Sequence, residues 1–293
     1  MIHRCIVLVF ALAAPWVAVA QSAPALFAPG VVSGPQNDYN LSVSDDGQTM
    51  VFARSRADFA HARIMLSERL EGAGWSAPRP IGFSDDRYRD SDPWLAPDGL
   101  TLYFVSDRPT PTRVDRHDLD IWRSVKRDGQ WQAPEHLGDR VNGRGEELGP
   151  EVHGGVLYFA SGRKSGMGGL DVYAAPLTAD GAGRPALLPA PINSSASESD
   201  FTLSRDGRTA LFWRQVGGRG LLHVSQRTPQ GTWSPAEVLP DEVNIGPFNF
   251  TPAFSADGRR ITFASTRLRE GQEAGMADVY GAAAPVSPRD RAR

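Results

Sequence analysis

Cysteine is almost absent: of 293 residues a single one, Cys5, is a cysteine. It lies in a leader-like stretch, so a chain processed after Ala20 has no disulfide, no thiol nucleophile and no cysteine metal site. The leader, residues 1–20, reads as a secretory signal. His3 and Arg4 precede an apolar run from Cys5 to Ala14, and small residues at Ala18 and Ala20 precede Gln21. That run is short for a bilayer span, which favours cleavage over a signal anchor, and no later stretch is long and apolar enough for a membrane helix. Clustered basic charge is also missing. The net charge is -3 and only the tail at 289–293 concentrates arginine, so nothing marks a nucleic-acid-binding face. His3, His61, His117, His136, His153 and His223 show no metal-ligand spacing. There is no Gly-x-Ser-x-Gly elbow, and Gly166-Met167-Gly168-Gly169 lacks the Lys-Ser/Thr and helix of a phosphate loop.

What is abundant is punctuation. Thirty glycines and 23 prolines break the chain into short apolar runs, which favours many tight turns over long helices. The runs repeat a phrase: a turn ending in Asp-Gly, an apolar strand ending in Phe, Ser-x-Arg, then Asp-Ile/Val-Trp/Tyr. Its clearest copies run from Pro93 through Asp98-Gly99, Phe104, Ser106 and Arg108 to Asp120-Ile121-Trp122, and from Pro252 through Asp257-Gly258, Phe263, Ser265 and Arg267 to Asp278-Val279-Tyr280. Phe52, Phe104, Phe159, Phe212 and Phe263 recur at a period of about 52 residues, near the span of a four-stranded propeller blade.

Each Phe follows a hairpin signal: Asp46-Gly47, Asp98-Gly99, Gly154-Gly155, Asp206-Gly207 or Asp257-Gly258, where Gly accepts the positive φ of a primed turn. A third strand begins near Arg63, Asp120, Asp171, Leu221 and Asp278. An outer strand carries Trp, Pro and an aliphatic residue: Trp75-Pro78-Ile81, Trp131-Pro134-Leu137 and Trp233-Pro235-Leu239, with Pro185 to Leu188 standing in for the third blade. The fifth repeat lacks that strand. Ala23-Pro24-Ala25-Leu26-Phe27 with Val31-Val32 matches Ala133-Pro134-Glu135-His136-Leu137 with Val141-Asn142, so the N-terminal segment is expected to supply it and to cover a costly open edge. The expectation is an all-β, five-bladed β-propeller closed by an N-terminal strand, with six blades as the alternative count. It comprises a signal at 1–20, one propeller domain at 21–285 and a disordered basic tail at 286–293.

The consensus (Asp/Glu)-x-x-Pro-x-x-Ser-x-Asp-Gly, apolar-x-Phe-x-Ser-x-Arg, Asp-Ile/Val-Tyr/Trp resembles the WD40-like repeat of TolB-type periplasmic propellers, across essentially Ala23 to Tyr280. Gly168-Gly169-Leu170-Asp171-Val172-Tyr173 is similar to a phrase found beside peptidoglycan-binding domains of outer-membrane lipoproteins. The resemblance implies a periplasmic scaffold whose partners are a peptidoglycan-associated lipoprotein and other envelope proteins. Five repeats are visible here where TolB has six, and the repeats leave no room in this chain for a separate N-terminal α/β domain.

Counting back from each Phe places Asp38, Asp90, Glu198 and Asn249 at one equivalent position, with Glu147 in the shorter third hairpin. Counting forward gives Arg56, Arg108, Arg163 and Arg267, with Val216 breaking the series. These residues are expected to ring one channel mouth. They either pair as carboxylate and guanidinium to serve the blades, or leave oxygens for a cation such as Ca²⁺; no other cofactor is implied. Residues that break the repeat are the better candidates for specific binding: the loops at 109–119, 164–169 and 268–277, and Asp85-Asp86-Arg87-Tyr88-Arg89-Asp90, which sets an aromatic among charges. The function expected is that of a non-catalytic, exported, monomeric propeller holding an envelope protein, lipoprotein or cell-envelope glycan. The alternative is a carbohydrate-active enzyme using carboxylates at the mouth, such as Asp90, Glu147 and Glu198.

Overall fold

The turn chemistry of the Ser-x-Asp-Gly phrase determines how each blade starts. Ser44, Ser204 and Ser255 donate their hydroxyls to Asp46, Asp206 and Asp257 at 2.6, 2.7 and 2.7 Å. Those carboxylates, and that of Asp98, accept the backbone N–H two residues on. The following glycines alone are left-handed, with φ of 67–68°, and their N–H groups bond to the carbonyl three residues back. These are therefore type I turns closed by a left-handed glycine. They are not the primed turns expected, because the Asp side chain caps the turn and keeps its own φ negative. Of the five turns that precede a repeat Phe, Gly154-Gly155 alone, with φ of 59° and 76°, is the two-residue turn in which both residues are left-handed.

The computed structural model describes residues 23–285 apart from 73, 111–113, 116 and 179–180. The signal, the basic tail and the centre of the 109–119 loop lie outside the described residues. Five antiparallel sheets are arranged as a five-bladed propeller, with no helix among the described residues. From the axis outward, blade one is Asn37–Val43, Thr49–Ser55, Arg63–Glu68 and Arg79–Pro80. Blade two is Asp90–Leu95, Thr101–Ser106, Asp120–Arg127 and Glu135–His136. Blade three is Glu147–His153, Val156–Ser161, Asp171–Thr178 and Ala186–Leu187. Blade four is Glu198–Leu203, Thr209–Val216, Arg219–Gln226 and Glu237–Val238.

Blade five combines Asn249–Phe254, Arg260–Ser265 and Asp278–Ala283 with Ala25–Leu26 from the start of the chain. Ala25 faces Gly281 and Leu26 faces Tyr280, so the N-terminal segment closes the ring as expected. One detail differs. In blades two to four Asn142, Asn193 and Asn244 bind both the N–H and the C=O of Ile121, Val172 and Leu222. In blade five Ser33 makes that clasp to Val279, so Val32-Ser33, and not Val31-Val32, is the counterpart of Val141-Asn142.

The five repeat phenylalanines are each 0% exposed. The core is divided among the blade interfaces. Val105 and Ile121 of blade two pack with Leu157 and Phe159 of blade three, Val172 of blade three with Phe212 of blade four, and Leu222 of blade four with Phe263 of blade five. Val279 joins Val32, Phe52 and Met65 at the seam where chain start and chain end meet. Each large apolar side chain buried this way contributes roughly 1.5–3 kcal/mol.

Candidate functional site at the propeller axis

The positions expected to ring the channel mouth are instead sealed inside the blades. Asp38, Glu147, Glu198 and Asn249 are 0% exposed and Asp90 is 1% exposed. Each faces, across the first hairpin, the residue two beyond the repeat Phe: Arg54, Ser106, Ser161, Arg214 and Ser265. Where that residue is serine, the guanidinium comes from two residues further on. Arg108 meets Asp90 at 2.5 Å and Arg163 meets Glu147 at 3.2 Å. Where it is arginine, it pairs directly, Arg54 with Asp38 and Arg214 with Glu198, both at 2.6 Å. The pairing of carboxylate and guanidinium rings therefore holds in four blades. In blade one, however, the partner is Arg54 and not Arg56, and in blade four Arg214 takes the role for which Val216 is unsuited. Blade five has neutral Asn249, which accepts from Ser265 at 2.7 Å, and its Arg267 turns to the Val243 carbonyl at 2.8 Å and the face of Tyr280.

Burial is the leading influence on Asp38, Asp90 and Glu147. It pushes Asp38 up to about 7 against the opposing Arg54, and it raises Asp90 and Glu147 against Arg108 and against Ser161 and Arg163. Removing one partner of such a pair would strand a buried charge, a loss of about 3–5 kcal/mol.

The axis is lined by residues two positions further along each inner strand. All five inner strands bulge there, between Tyr39 and Ser42, Ser91 and Trp94, Leu148 and Glu151, Ser199 and Thr202, and Phe250 and Ala253. At each bulge one residue is left-handed: Asn40, Asp92, Gly149, Asp200 and Thr251, with φ of 48–54°. These residues hold blades together. Asp92 accepts the Gly149 N–H at 3.0 Å, Asp200 accepts the Thr251 N–H at 3.1 Å, and the Thr251 hydroxyl accepts the Asn40 N–H at 3.3 Å. Gly149 is constrained twice, by its φ of 53° and because a Cβ there would lie 2.7 Å from the Asp200 carboxylate.

Asp92 and Asp200 are the carboxylates of the axis. Ser91 donates to Asp92 at 2.8 Å and Ser199 donates to Asp200 at 3.3 Å. Burial, and after it the charge of Asp92, push Asp200 up to about 7, and burial raises Asp92. Neither makes a salt bridge among the described residues. Sequence counting missed this ring because its members differ in type. The available signal was that Asn, Asp and Gly, the residues most tolerant of a left-handed backbone, fill four of five equivalent positions.

Beside the axis lies an aromatic cluster in which Phe250 stacks on Phe248 at 4.5 Å and meets Tyr39 and Phe59 at 5.8 Å. Three of the repeat-breaking segments, 85–90, 164–169 and 268–277, make contacts that fix them. The Arg108 guanidinium lies 5.3 Å over the Tyr88 ring, Asp171 accepts the N–H groups of Met167 and Gly168, and Arg269 pairs with Asp278 at 2.6 Å while donating to the Gly34 carbonyl. Among the described residues no group of three or more His, Cys, Asp or Glu side chains is arranged to hold a metal ion, and no helix is long and apolar enough to cross a membrane.

The arrangement is that of a five-bladed β-propeller. A thermostable family-43 glycoside hydrolase is similar over 86% of this chain and 91% of its own, at 12% identity and a TM-score of 0.58. An α-L-arabinofuranosidase from Lactobacillus brevis is similar over 87% and 93%, at 12% identity and 0.55. A putative TolB from Agrobacterium tumefaciens is similar over 86% and 92%, at 15% identity and 0.51. No family model and no curated relative matches the sequence. The propeller fold is thus common to TolB proteins and to glycosidases, and the fold alone does not choose between them.

Proposed function

We propose that this chain is an exported, non-catalytic propeller of the TolB-like kind, acting in the cell envelope as a binding or scaffold module for an envelope protein, lipoprotein or glycan. The observation that carries this reading is how the acids are used. A glycosidase needs two carboxylates free to face a scissile bond. Here Asp38, Asp90, Glu147 and Glu198 are each joined to an arginine of their own blade, while Asp92 and Asp200 accept backbone N–H groups of the next blade. Acids bound up in holding the ring together suit a rigid platform whose loops present the binding groups. The export signal at 1–20 and the resemblance of the repeat support an envelope location. Ca²⁺ is a ligand to include in binding assays.

The test has two arms. The purified chain is assayed on aryl arabinofuranosides, aryl xylosides and arabinan, and immobilised chain is used to capture envelope components with and without Ca²⁺. The expectation is no hydrolysis above buffer, together with a saturable partner whose retention falls when the 164–169 or 268–277 loop is altered. Turnover abolished by Asp92→Asn or Asp200→Asn would overturn the reading in favour of a carbohydrate-active enzyme.

A further inference from the structure

Blade one departs from its siblings at two facing positions, and the departures reverse a local charge. In blades two, three and five a serine stands opposite an aspartate across the second and third strands: Ser106 and Asp120, Ser161 and Asp171, Ser265 and Asp278. Blade one places Arg54 opposite Arg63. Like charges directly across an antiparallel pair are unfavourable unless something neutralises them. Arg54 is satisfied by Asp38, and Arg63 by Asp86 on the rim, a residue 74% exposed in its side chain. That leaves Arg56. Its counterparts Arg108 and Arg163 hold the acids of their own blades, but Arg54 has taken over that duty in blade one. The Arg56 guanidinium has no partner among the described residues.

Arg54, Arg56 and Arg63 surround a cavity of about 330 Å³ in the flank of blade one, with His61 beside them and Met65 and Pro80 as its apolar wall. The loop that carries two of these groups is held in an unusual shape. Phe59 and His61, neither a glycine, have φ of 61° and 52°. Left-handed bulky residues are strained, and strain of this kind gathers at binding sites. Phe59 fixes the loop by packing edge-on against Tyr39 at 5.1 Å and Phe250 at 5.8 Å. The nearby acids are accounted for: Asp38 on Arg54, Asp86 on Arg63, and Asp58, whose carboxylate accepts the Ala60 N–H.

We propose that this cavity is an anion site that takes a single carboxylate group, with Arg56 as its principal donor, Arg63 and His61 flanking it, and the stem of the ligand against Met65 and Pro80. An arginine fork matches a carboxylate bidentately, and the charge-assisted bonds so made are among the strongest available at a surface. The site stands apart from the axis and does not depend on whether the propeller is a scaffold or an enzyme.

Calorimetric titration of the intact chain tests it, using N-acetyl-glutamate α-amide and D-glucuronate as probes beside their uncharged counterparts N-acetyl-glutamine amide and glucose. At least one acid binds and its neutral counterpart does not; which acid binds identifies a peptide or a sugar as the carrier of the carboxylate. Arg56→Ala weakens binding about tenfold or more, the loss expected of one charge-assisted pair. Arg63→Asp, which restores the acid found in the sibling blades, also removes binding while melting no lower than the parent. Failure of both acids to bind, or an affinity in both variants equal to the parent's, overturns the assignment.

Discussion

Replacing Asp200 with asparagine should change how stability depends on pH more than it changes stability itself. Asp200 is pushed from 3.8 in the unfolded chain to about 7 in the folded one. Between those values the folded protein keeps a proton that the unfolded chain has released, so the unfolding free energy falls as pH rises through this window and levels off above it. The separation corresponds to at most about 4 kcal/mol. The substituted asparagine would still present an oxygen to the Thr251 N–H, which Asp200 now accepts at 3.1 Å, so the interblade clasp survives the substitution. Removing the charge also eases ionisation of Asp92, whose repulsion is the second cause of the Asp200 displacement. Urea unfolding followed by tryptophan fluorescence, from about pH 4 to about pH 8, reads the effect directly. The parent should lose stability across that range. The Asp200→Asn variant should lose less of it and become the more stable of the two above about pH 7. Asp38 and Glu151, also raised to about 7 by burial, contribute equally to both proteins, so the difference between the two curves isolates the axial pair. Parallel curves would refute the reasoning, because they would mean that the axial carboxylates are hydrated and titrate as they do in the unfolded chain.

Two further outcomes test the frame around the site. Removing residues 23–33 deletes the strand paired to Tyr280 and Gly281, the buried Val32 and the Ser33 clasp on Val279. The loss is about 5 kcal/mol from these alone, enough to leave the chain largely unfolded in a thermal melt, and an unchanged melting temperature would show that the ring is closed in some other way. Arg214→Ala strands Glu198, which is 0% exposed, and should lower the unfolding free energy by about 3–5 kcal/mol in urea titration, whereas Arg56→Ala at the exposed counterpart of Val216 should cost less than about 0.5 kcal/mol.

The blade count, the anchor phenylalanines and the closing strand were legible because they rest on local rules: a turn signal followed by an apolar run, repeated five times, and a single edge left unpaired at the end. Register within the hairpin was less so. Arg54 and Arg56 are two residues apart in the chain, and counting alone favours the one that matches the sibling blades. Which one reaches Asp38 is decided by the direct cross-strand pairing of Asp38 with Arg54. The axial ring was illegible for a different reason. A β-bulge reverses the side-chain alternation on which face assignment depends, and it does so by a backbone conformation that Asn, Asp, Gly and Thr reach by different means. The cationic cavity was hidden because Arg63 reads as an ordinary strand residue until its facing partner is known.

Closure by the first strand also sets an order of events. Ser33 and Val279 are 246 residues apart in the chain, yet each is bonded to the other. A polypeptide threaded N-terminus first would have to hold residues 25–33 unpaired until the last strand, Asp278–Ala283, has emerged, so completion of the ring is a late, single, long-range step in its biogenesis. Until then the seam around Val32, Phe52 and Val279 stays open, and that interval is when a chaperone or a protease would find this molecule vulnerable.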